Sequence, residues 1–280
     1  MTSPTQRRNI DFLRGLARAF AGAIIFALPL LMTMEMWFLG FSMEPWRLVL
    51  FLVLFFPVLV ALSWHIGFED TFSWRDDVVD ALVAYAVGFC SAGLILLVLG
   101  VLDSADSPRE IVGKVSLQAV PASIGALLAQ TQFGEEEAQG AAQGTARRQG
   151  PRYASELFIM GVGALFLAFN LAPTEEMLAL AFRMTVVHAL MLVSLSLALM
   201  HAFVYGVAFR GRPQVHEQTP AWNLFLRVTV AGYAIALLLG AYILWSFGRL
   251  EGVSLLVAVK AVAVVGFPAG IGAAAARLIL

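Results

Sequence analysis

The sequence predicts an all-α, polytopic helical membrane protein with about eight transmembrane helices. Three observations predict this class: 60% of the 280 residues are hydrophobic, only 13% are charged, and the apolar residues fall in long runs. Runs of about 20 apolar residues match the thickness of a hydrocarbon core, whereas a soluble domain carries roughly 25% charged residues. With a net charge of −1 and no basic patch, a nucleic-acid partner is not expected.

Eight runs are long enough to span a lipid bilayer. The fourth is the least apolar because it contains Lys114, Gln118 and Pro121, so a re-entrant or interfacial helix is the alternative there. Its counterpart near the end of the chain is apolar enough to span, and we predict that both cross. The predicted spans are 16–41, 46–66, 78–102, 111–131, 154–173, 184–208, 224–247 and 252–276.

Basic residues in the short loops predict that both termini are cytoplasmic, because Lys and Arg concentrate on that side. This orientation leaves only four arginines on the opposite side: Arg47, Arg109, Arg183 and Arg249. The cytoplasmic side receives Arg7, Arg8, Arg14, Arg18, Arg75, Arg147, Arg148, Arg152, Arg210, Arg212 and Arg277.

A polar stretch divides the chain into two halves. Residues 134–152, GEEEAQGAAQGTARRQGPR, are rich in Gly, Ala and Gln, which is typical of a flexible linker. We therefore predict a first four-helix repeat over 1–133, a cytoplasmic linker over 134–152 and a second four-helix repeat over 153–280.

An internal repeat supports this division. Residues 22–43 align with residues 163–184 at a shift of 141 positions, and ten of the 22 pairs are identical, including Thr33/Thr174 and Glu35/Glu176. Shorter matches continue at shifts of 148 and 147, among them Gly100/Gly248 and Pro121/Pro268. Because four spans are an even number, the two copies should have the same orientation, related by an axis along the membrane normal. Sites between the halves should then occur in pairs.

Three stretches carry a resemblance to a known family. RGLARAFAGAIIFALPLLMTMEMWFLGF, GFEDTFSWRDDVVDALVAYAVGF and VSLQAVPASIGALLA resemble an uncharacterised bacterial family of integral membrane proteins, a domain of unknown function. The likeness covers nearly the whole chain, and FEDTFSWRDDVVDA is its most specific part. It implies a multi-pass protein of the bacterial inner membrane and a second small membrane protein as a candidate partner, but it implies no activity.

Two glutamates and two lysines, one of each in every repeat, lie within or at the outer ends of the predicted spans. A charge inside the membrane costs at least a few kcal/mol unless it has a partner or a purpose. Glu35 and Glu176 lie toward the outer ends of spans one and five, and Lys114 and Lys260 lie at a similar depth in spans four and eight. One hypothesis is a structural Glu–Lys ion pair within each repeat. The other is a cation or proton site from which the lysine is displaced, or at which it loses its proton, on binding.

Acidic residues begin the third span. In WRDDVVD, Asp76 and Asp80 are four residues apart on one helical face, with Asp77 beside them. Asp80 lies at the membrane boundary and is a candidate for the wall of a water-filled vestibule. The alternative is a solvated helix start that is favoured by the helix dipole.

These features favour a channel or carrier for a small inorganic cation or protons, through a site between two pseudo-symmetric repeats. The candidate pathway or ion-binding residues are Glu35, Glu176, Lys114, Lys260 and Asp80. The alternative is a non-transporting membrane scaffold or sensor subunit with structural Glu–Lys pairs. We expect no catalytic residues, metal site or cofactor, because the sequence lacks a nucleophile–base pattern and a metal-ligand cluster, and its single cysteine precludes an internal disulfide.

Overall fold

A computed structural model describes residues 4–66, 74–133, 152–206 and 221–279. Throughout these ranges the regular structure is helical. The elements are α1 (Pro4–Leu31), α2 (Met34–Ser42), α3 (Pro45–Ile66), α4 (Trp74–Val98), α5 (Pro108–Phe133), α6 (Arg152–Leu171), α7 (Glu175–Arg183), α8 (Val186–Gly206), α9 (Ala221–Leu224), a π-helical turn (Phe225–Val230), α10 (Ala231–Ser246) and α11 (Leu255–Ile279).

Eight of these segments are long and apolar enough to cross a membrane, which confirms the predicted fold class. Contacts between residues divide the chain into two compact units, Met1–Gln149 (unit 1) and Gly150–Leu280 (unit 2). Of the predicted linker, 134–152, all but Arg152 lies outside the described residues, and Arg152 begins α6. Residues 68–73 of the most specific family-like stretch also lie outside them.

Helix α5 is the centre of unit 1, where it packs against α1, α2, α3 and α4. In the most apolar stretch of α5, 78% of the residues are buried, compared with 28% in that of α1 and 28% in that of α3. The least apolar of the predicted spans is therefore the one that other helices shield from lipid. Its polar residues reflect a protein environment, and it is long and apolar enough to cross a membrane.

Glycines allow α1 and α2 to approach α5 closely. A Cβ on Gly22 would lie 2.5 Å from the carbonyl oxygen of Gly125 and would overlap Ala129. A Cβ on Gly40 would lie 2.5 Å from Cα of Lys114. Small residues at such positions let helix backbones pack without intervening side chains.

The first predicted span is in fact two helices, because α1 ends at Leu31 and α2 begins at Met34. Between them, the Thr33 hydroxyl donates to the carbonyl of Leu30 at 2.9 Å, and the Trp37 indole donates to that of Leu31 at 2.8 Å. These side chains supply donors for carbonyls that the end of a helix leaves without partners. The span thus ends at Leu31 and not at residue 41.

Helix α2 runs obliquely across α5. Eighteen residues separate Gly22 from Gly40 along the chain, about 27 Å of continuous helix, but their contact points on α5, Gly125 and Gly113, are only 12 residues or about 18 Å apart. The chain therefore turns aside at the break. We call this end of unit 1 the Glu35 end, and the opposite end, where α3 ends and α4 begins, the Asp80 end.

In unit 2 the central helix is α11, which packs against α6, α7, α8 and α10. A Cβ on Gly163 would overlap the backbone of Gly272, and Thr174 donates to the carbonyl of Leu171 at 2.9 Å at the break between α6 and α7. The fifth predicted span accordingly ends at Leu171 rather than at residue 173. The helix break at Thr174 and the contact of Gly163 with Gly272 lie where the repeat alignment places the corresponding features of unit 1. The duplication itself and its symmetry axis stay predictions.

Glycines also end a helix in each unit. Gly100 follows α4 and Gly248 follows α10, both with φ of 70°. A positive φ is accessible to glycine at little cost and is a common way for a helix to end. The next residue then donates back to the helix, from Val101 to the carbonyl of Leu96 at 2.9 Å in unit 1.

Candidate functional site

Lys114 lies in the second turn of α5, and its side chain reaches toward the loop before that helix. Its Nζ atom donates to Oδ2 of Asp106 at 2.8 Å and to the carbonyl of Val101 at 3.0 Å. The loop is itself ordered, because the backbone N–H of Asp103 also donates to the Asp106 carboxylate, at 3.2 Å. The hydrogen bond from Lys114, followed by that from Asp103, lowers the pKa of the Asp106 carboxyl below its ordinary 3.8.

A capping box holds α5 in place beneath this ion pair. The Ser107 hydroxyl accepts from the N–H of Glu110 at 3.3 Å, while the Glu110 carboxylate accepts from the N–H of Ser107 at 3.0 Å. This reciprocal arrangement satisfies two donors at the helix start. The loop and the first turn of α5 thus form one ordered structure around the charge of Lys114.

Lys260 of α11 has a different partner. Its Nζ atom donates to the carbonyl of Met184, the residue that ends α7, at 2.6 Å. A cation at the C-terminus of a helix is favoured by the helix dipole. At the other end of α7, the guanidinium of Arg249 donates to the carbonyl of Pro173. Two cations therefore hold the two ends of this short helix.

The predicted Glu–Lys pairs do not form. Glu35 is half-buried in the first turn of α2, and Glu176 is exposed in the first turn of α7. Within the described ranges, Lys114 forms its ion pair with Asp106, and Lys260 forms none with Glu176. The reason is geometric, because α2 contacts Lys114 through Gly40, five residues or about 7.5 Å of helix beyond Glu35.

Both glutamates instead begin a helix. A carboxylate in the first turn of a helix is stabilised by the partial positive charge of that end and needs no basic partner. Because the preceding helices end at Leu31 and Leu171, neither glutamate lies in a long transmembrane helix. The sequence had instead suggested that both lie toward the outer ends of such helices.

At the Asp80 end of unit 1, carboxylates from α4 face the interior. Asp80 is half-buried and accepts from the hydroxyl of Ser63 on α3 at 3.2 Å. Asp77 is buried, whereas Asp76 is exposed. The carboxylates that are at least partly buried are thus Asp77 and Asp80, three residues apart, while Asp76, four residues before Asp80, is exposed.

Between these two ends, the interior of unit 1 contains buried polar side chains at several depths. On α4, Ser91 donates to the carbonyl of Gly88 at 3.1 Å, and on α5 Ser123 donates to that of Ala119 at 2.5 Å. Among the described residues of unit 1, the buried polar ones are Ser63, Asp77, Ser91, Lys114, Ser116, Gln118 and Ser123. Unit 2 has fewer, namely Ser196, Thr229, Ser246 and Lys260.

Gln118 stands out in this set. It is 0% exposed, and neither its Oε1 nor its Nε2 atom has a hydrogen-bond partner in the described part of the chain. The sequence had marked Gln118 only as a residue that weakens the fourth span.

In unit 2, polar contacts gather around the π-helical turn. His201 of α8 is hydrogen-bonded through Nδ1 to the hydroxyl of Thr229 at 2.9 Å and lies edge-on to the ring of Phe225 at 5.3 Å. The Tyr153 hydroxyl donates to the carbonyl of Arg227 at 2.6 Å. A π-helical turn leaves backbone groups out of register, and such turns occur frequently at functional sites.

Sequence reasoning missed three of these groups. Asp106 lies in a loop, and the sequence signal near it is the capping pattern of Ser107 and Glu110, which indicates where α5 starts. Arg249 was counted for orientation alone. The pairing of His201 with Thr229 depends on a π-helical turn, for which the sequence contains no periodic signal.

Comparison with protein families gives one match. The family model described as "Putative integral membrane protein (DUF2391)" matches residues 15–280. Neither curated proteins nor solved structures show a match to this chain.

Proposed function

This chain belongs to the DUF2391 family of integral membrane proteins, and we propose that it moves protons or a small inorganic cation across the membrane, as a channel or a carrier. The observation that carries the proposal is the series of buried polar side chains between the two ends of unit 1. Polar and ionisable side chains inside a membrane protein are expensive, and they commonly line ion or proton pathways.

The series begins at the Asp80 end with two carboxylates that have different exposure. Asp77 is buried and Asp80 is half-buried, so that together they extend from the surface into the unit. Ser63 accompanies Asp80, and its hydroxyl can both donate and accept. Asp77 and Asp80 are the entrance of the proposed pathway, and the series continues through Ser123, Ser91 and Gln118 to Lys114.

Lys114 and Asp106 close the other end of the series. Their ion pair at 2.8 Å neutralises a charge that would otherwise repel a cation at the Glu35 end. In this proposal the pair is a gate residue with its counter-ion. Glu35 is half-buried at the same end of the unit, about 7.5 Å of helix from the contact of α2 with Lys114. In unit 2, Lys260 and Glu176 are the corresponding candidates, although Glu176 is exposed.

The proposal includes a location in the bacterial inner membrane, cytoplasmic termini and no catalytic activity or cofactor. A second candidate function is a scaffold or sensor subunit for another small membrane protein. One observation favours it: both lysines already have protein partners, the Asp106 carboxylate and the Met184 carbonyl. Such contacts are sufficient to explain buried lysines by stability alone.

Ion flux into proteoliposomes tests the proposal, with H⁺, K⁺, Na⁺ and divalent cations screened separately. The central variant is Asp80→Asn, and its matched control is Asp76→Asn, an exposed carboxylate on the same helix turn. We expect the first to slow flux about tenfold or more and the second to leave flux unchanged. A Glu35→Gln, Glu176→Gln double variant tests whether these two glutamates contribute to the ion flux.

Two outcomes contradict the proposal. One is the absence of flux for every ion with the folded wild-type protein. The other is a flux that Asp80→Asn and Asp76→Asn leave equal. With the first outcome, co-purification with a neighbouring membrane protein becomes the measurement that tests the scaffold function.

A further inference from the structure

The side chain of Gln118 lies at the midpoint of its span. The span of α5 covers Pro108–Ala129, so Gln118 is ten residues from one end and eleven from the other, about 15 Å of helix in each direction. The contact of Gly125 with Gly22 sets the register with α1. Counting seven residues along both helices from that contact places Gln118 level with Pro29, in the last turn of α1.

Each end of this span is about 15 Å of helix away, and the described part of the chain supplies no hydrogen-bond partner for the carboxamide. Burying an amide without hydrogen bonds costs several kcal/mol, and nearly all buried polar groups in proteins are paired. An unpaired glutamine at the midpoint of the central helix therefore indicates a ligand that the chain binds there.

We propose that Gln118 holds one or more buried water molecules at the centre of unit 1. The chemistry of the amide selects water among the small ligands. A metal cation satisfies Oε1 alone and leaves both Nε2 hydrogens unpaired, while an anion does the reverse. Water donates and accepts, so one kind of ligand satisfies both atoms.

The surrounding charges agree with this choice. Lys114 is one helical turn from Gln118 on the same face of α5, and side chains of a helix lean toward its N-terminus, so the amide lies toward Lys114. Because the Lys114–Asp106 ion pair carries no net charge, it does not offset the cost of placing a bare cation beside the amide. The carboxylates that would offset it, Asp77 and Asp80, belong to the other end of the unit.

Unit 2 differs at the matching position. Val265, which the shift of 147 residues aligns with Gln118, is fully buried and packs against Gly240. An apolar side chain there needs no water. The proposed water site is thus a property of unit 1.

The proposed water site also indicates which of the candidate ions is transported. A chain of hydrogen-bonded waters that includes this site would transfer protons between the polar groups of the two ends, whereas a dehydrated metal ion does not need such a chain. This role rests on the proposed function, whereas the water site itself does not. Protons, rather than K⁺, Na⁺ or divalent cations, are then the transported species.

Water-edited solid-state NMR of the full chain in proteoliposomes tests the site directly. Magnetisation transferred from water to the side-chain amide of Gln118 is measured, and that signal is assigned by its loss in Gln118→Leu. The exposed side chain of Asn223 serves as the positive control. We expect transfer to Gln118 nearly as efficient as to Asn223, and no shift of the Gln118 signal when Na⁺ replaces K⁺.

Absence of water transfer to Gln118 overturns the inference, whatever the flux assay shows, and so does a shift that depends on the cation. Proton flux is measured on the same samples. A roughly tenfold loss of proton flux in a folded Gln118→Leu protein supports the proton-transfer role. Water at Gln118 in a protein without any flux retains the site but overturns that role and the proposed function together.

Discussion

The Nζ atom of Lys114 lies 2.8 Å from Oδ2 of Asp106, and this ion pair joins the start of α5 to the loop that precedes it. It replaces the predicted pairing of Lys114 with Glu35. In unit 2, Lys260 reaches the C-terminal carbonyl of α7 instead. The two lysines are thus neutralised in different ways, by a carboxylate in one unit and by a helix end in the other.

Double-mutant cycles distinguish the observed ion pair from the predicted one. We expect Lys114→Met and Asp106→Asn to be clearly non-additive in the free energy of unfolding, because their side chains are in contact. Lys114→Met and Glu35→Gln should be additive within about 0.5 kcal/mol, as for residues without a shared contact. Denaturant titration in mild detergent measures both cycles, and a larger coupling for Glu35 than for Asp106 contradicts the structure.

The Asp106 carboxylate should make stability depend on acid pH. Its pKa is lowered in the folded chain by the hydrogen bond from Lys114, so its contribution is present above the ordinary value of 3.8 and is lost as pH falls through the lowered value. The difference in Tm between wild type and Asp106→Asn should therefore be constant from about pH 7 to 5 and shrink below about pH 4. Asp103→Asn, which retains the accepting oxygen of that side chain, is the control. A difference that persists unchanged at pH 3 argues against the ion pair as its source.

Matched glycine substitutions test the close approach of α1 to α5. Gly22→Ala places a methyl group 2.5 Å from the carbonyl oxygen of Gly125 and should destabilise the protein by about 1–3 kcal/mol. Gly15→Ala on the same helix has no atom within 4 Å of the new Cβ and should stabilise by about 0.5–1 kcal/mol. Thermal unfolding followed by circular dichroism measures both, and equal effects would mean that α1 does not contact α5 at Gly22.

The same contrast exists in unit 2. A Cβ on Gly163 would overlap the backbone of Gly272, whereas a Cβ on Gly161 would make ordinary contacts at 3.5 and 3.6 Å. Gly163→Ala should therefore cost more than Gly161→Ala by about 1 kcal/mol or more. A reversed order in the measured Tm values would contradict the packing of α6 on α11.

The hydrogen bond between His201 and Thr229 should stabilise the π-helical turn. Thr229→Val removes the hydroxyl and leaves a polar ring without its partner, which should cost about 1–3 kcal/mol. Thr229→Ser retains the hydroxyl and is the control. Hydrogen exchange of the amides over 225–230 measures the local effect, and equal exchange in both variants would show that the hydroxyl contributes nothing there.

The predictable part of this protein follows from hydrophobicity alone. A run of about 20 apolar residues has few other places to reside than a lipid bilayer, so the eight spans and the all-α class could be predicted without a structure. Of the two breaks, the second was predicted approximately, since the fifth span was expected to end at residue 173, whereas the first predicted span ran through its break to residue 41.

The partners of the charged residues could not be predicted in this way. Similar depth in the membrane suggested Glu35 for Lys114, but depth ignores the direction in which a helix turns after a break. Helix α2 crosses α5 at Gly40, and this crossing carries Glu35 away while the loop brings Asp106 close. Such contacts depend on packing between helices that are distant in the chain, which periodicity does not encode.

The sequence by itself determined that the chain crosses a membrane several times and where its polar residues are placed along each span. Only the tertiary structure decided which polar residues are buried, because the same glutamine is costly against lipid and acceptable in a helix that four others surround. Gln118 and Lys114 made the fourth span look doubtful from sequence, and the packing of α1, α2, α3 and α4 around α5 explains them. Hydrophobicity selects the spans, and the neighbours of each helix give its polar residues their role.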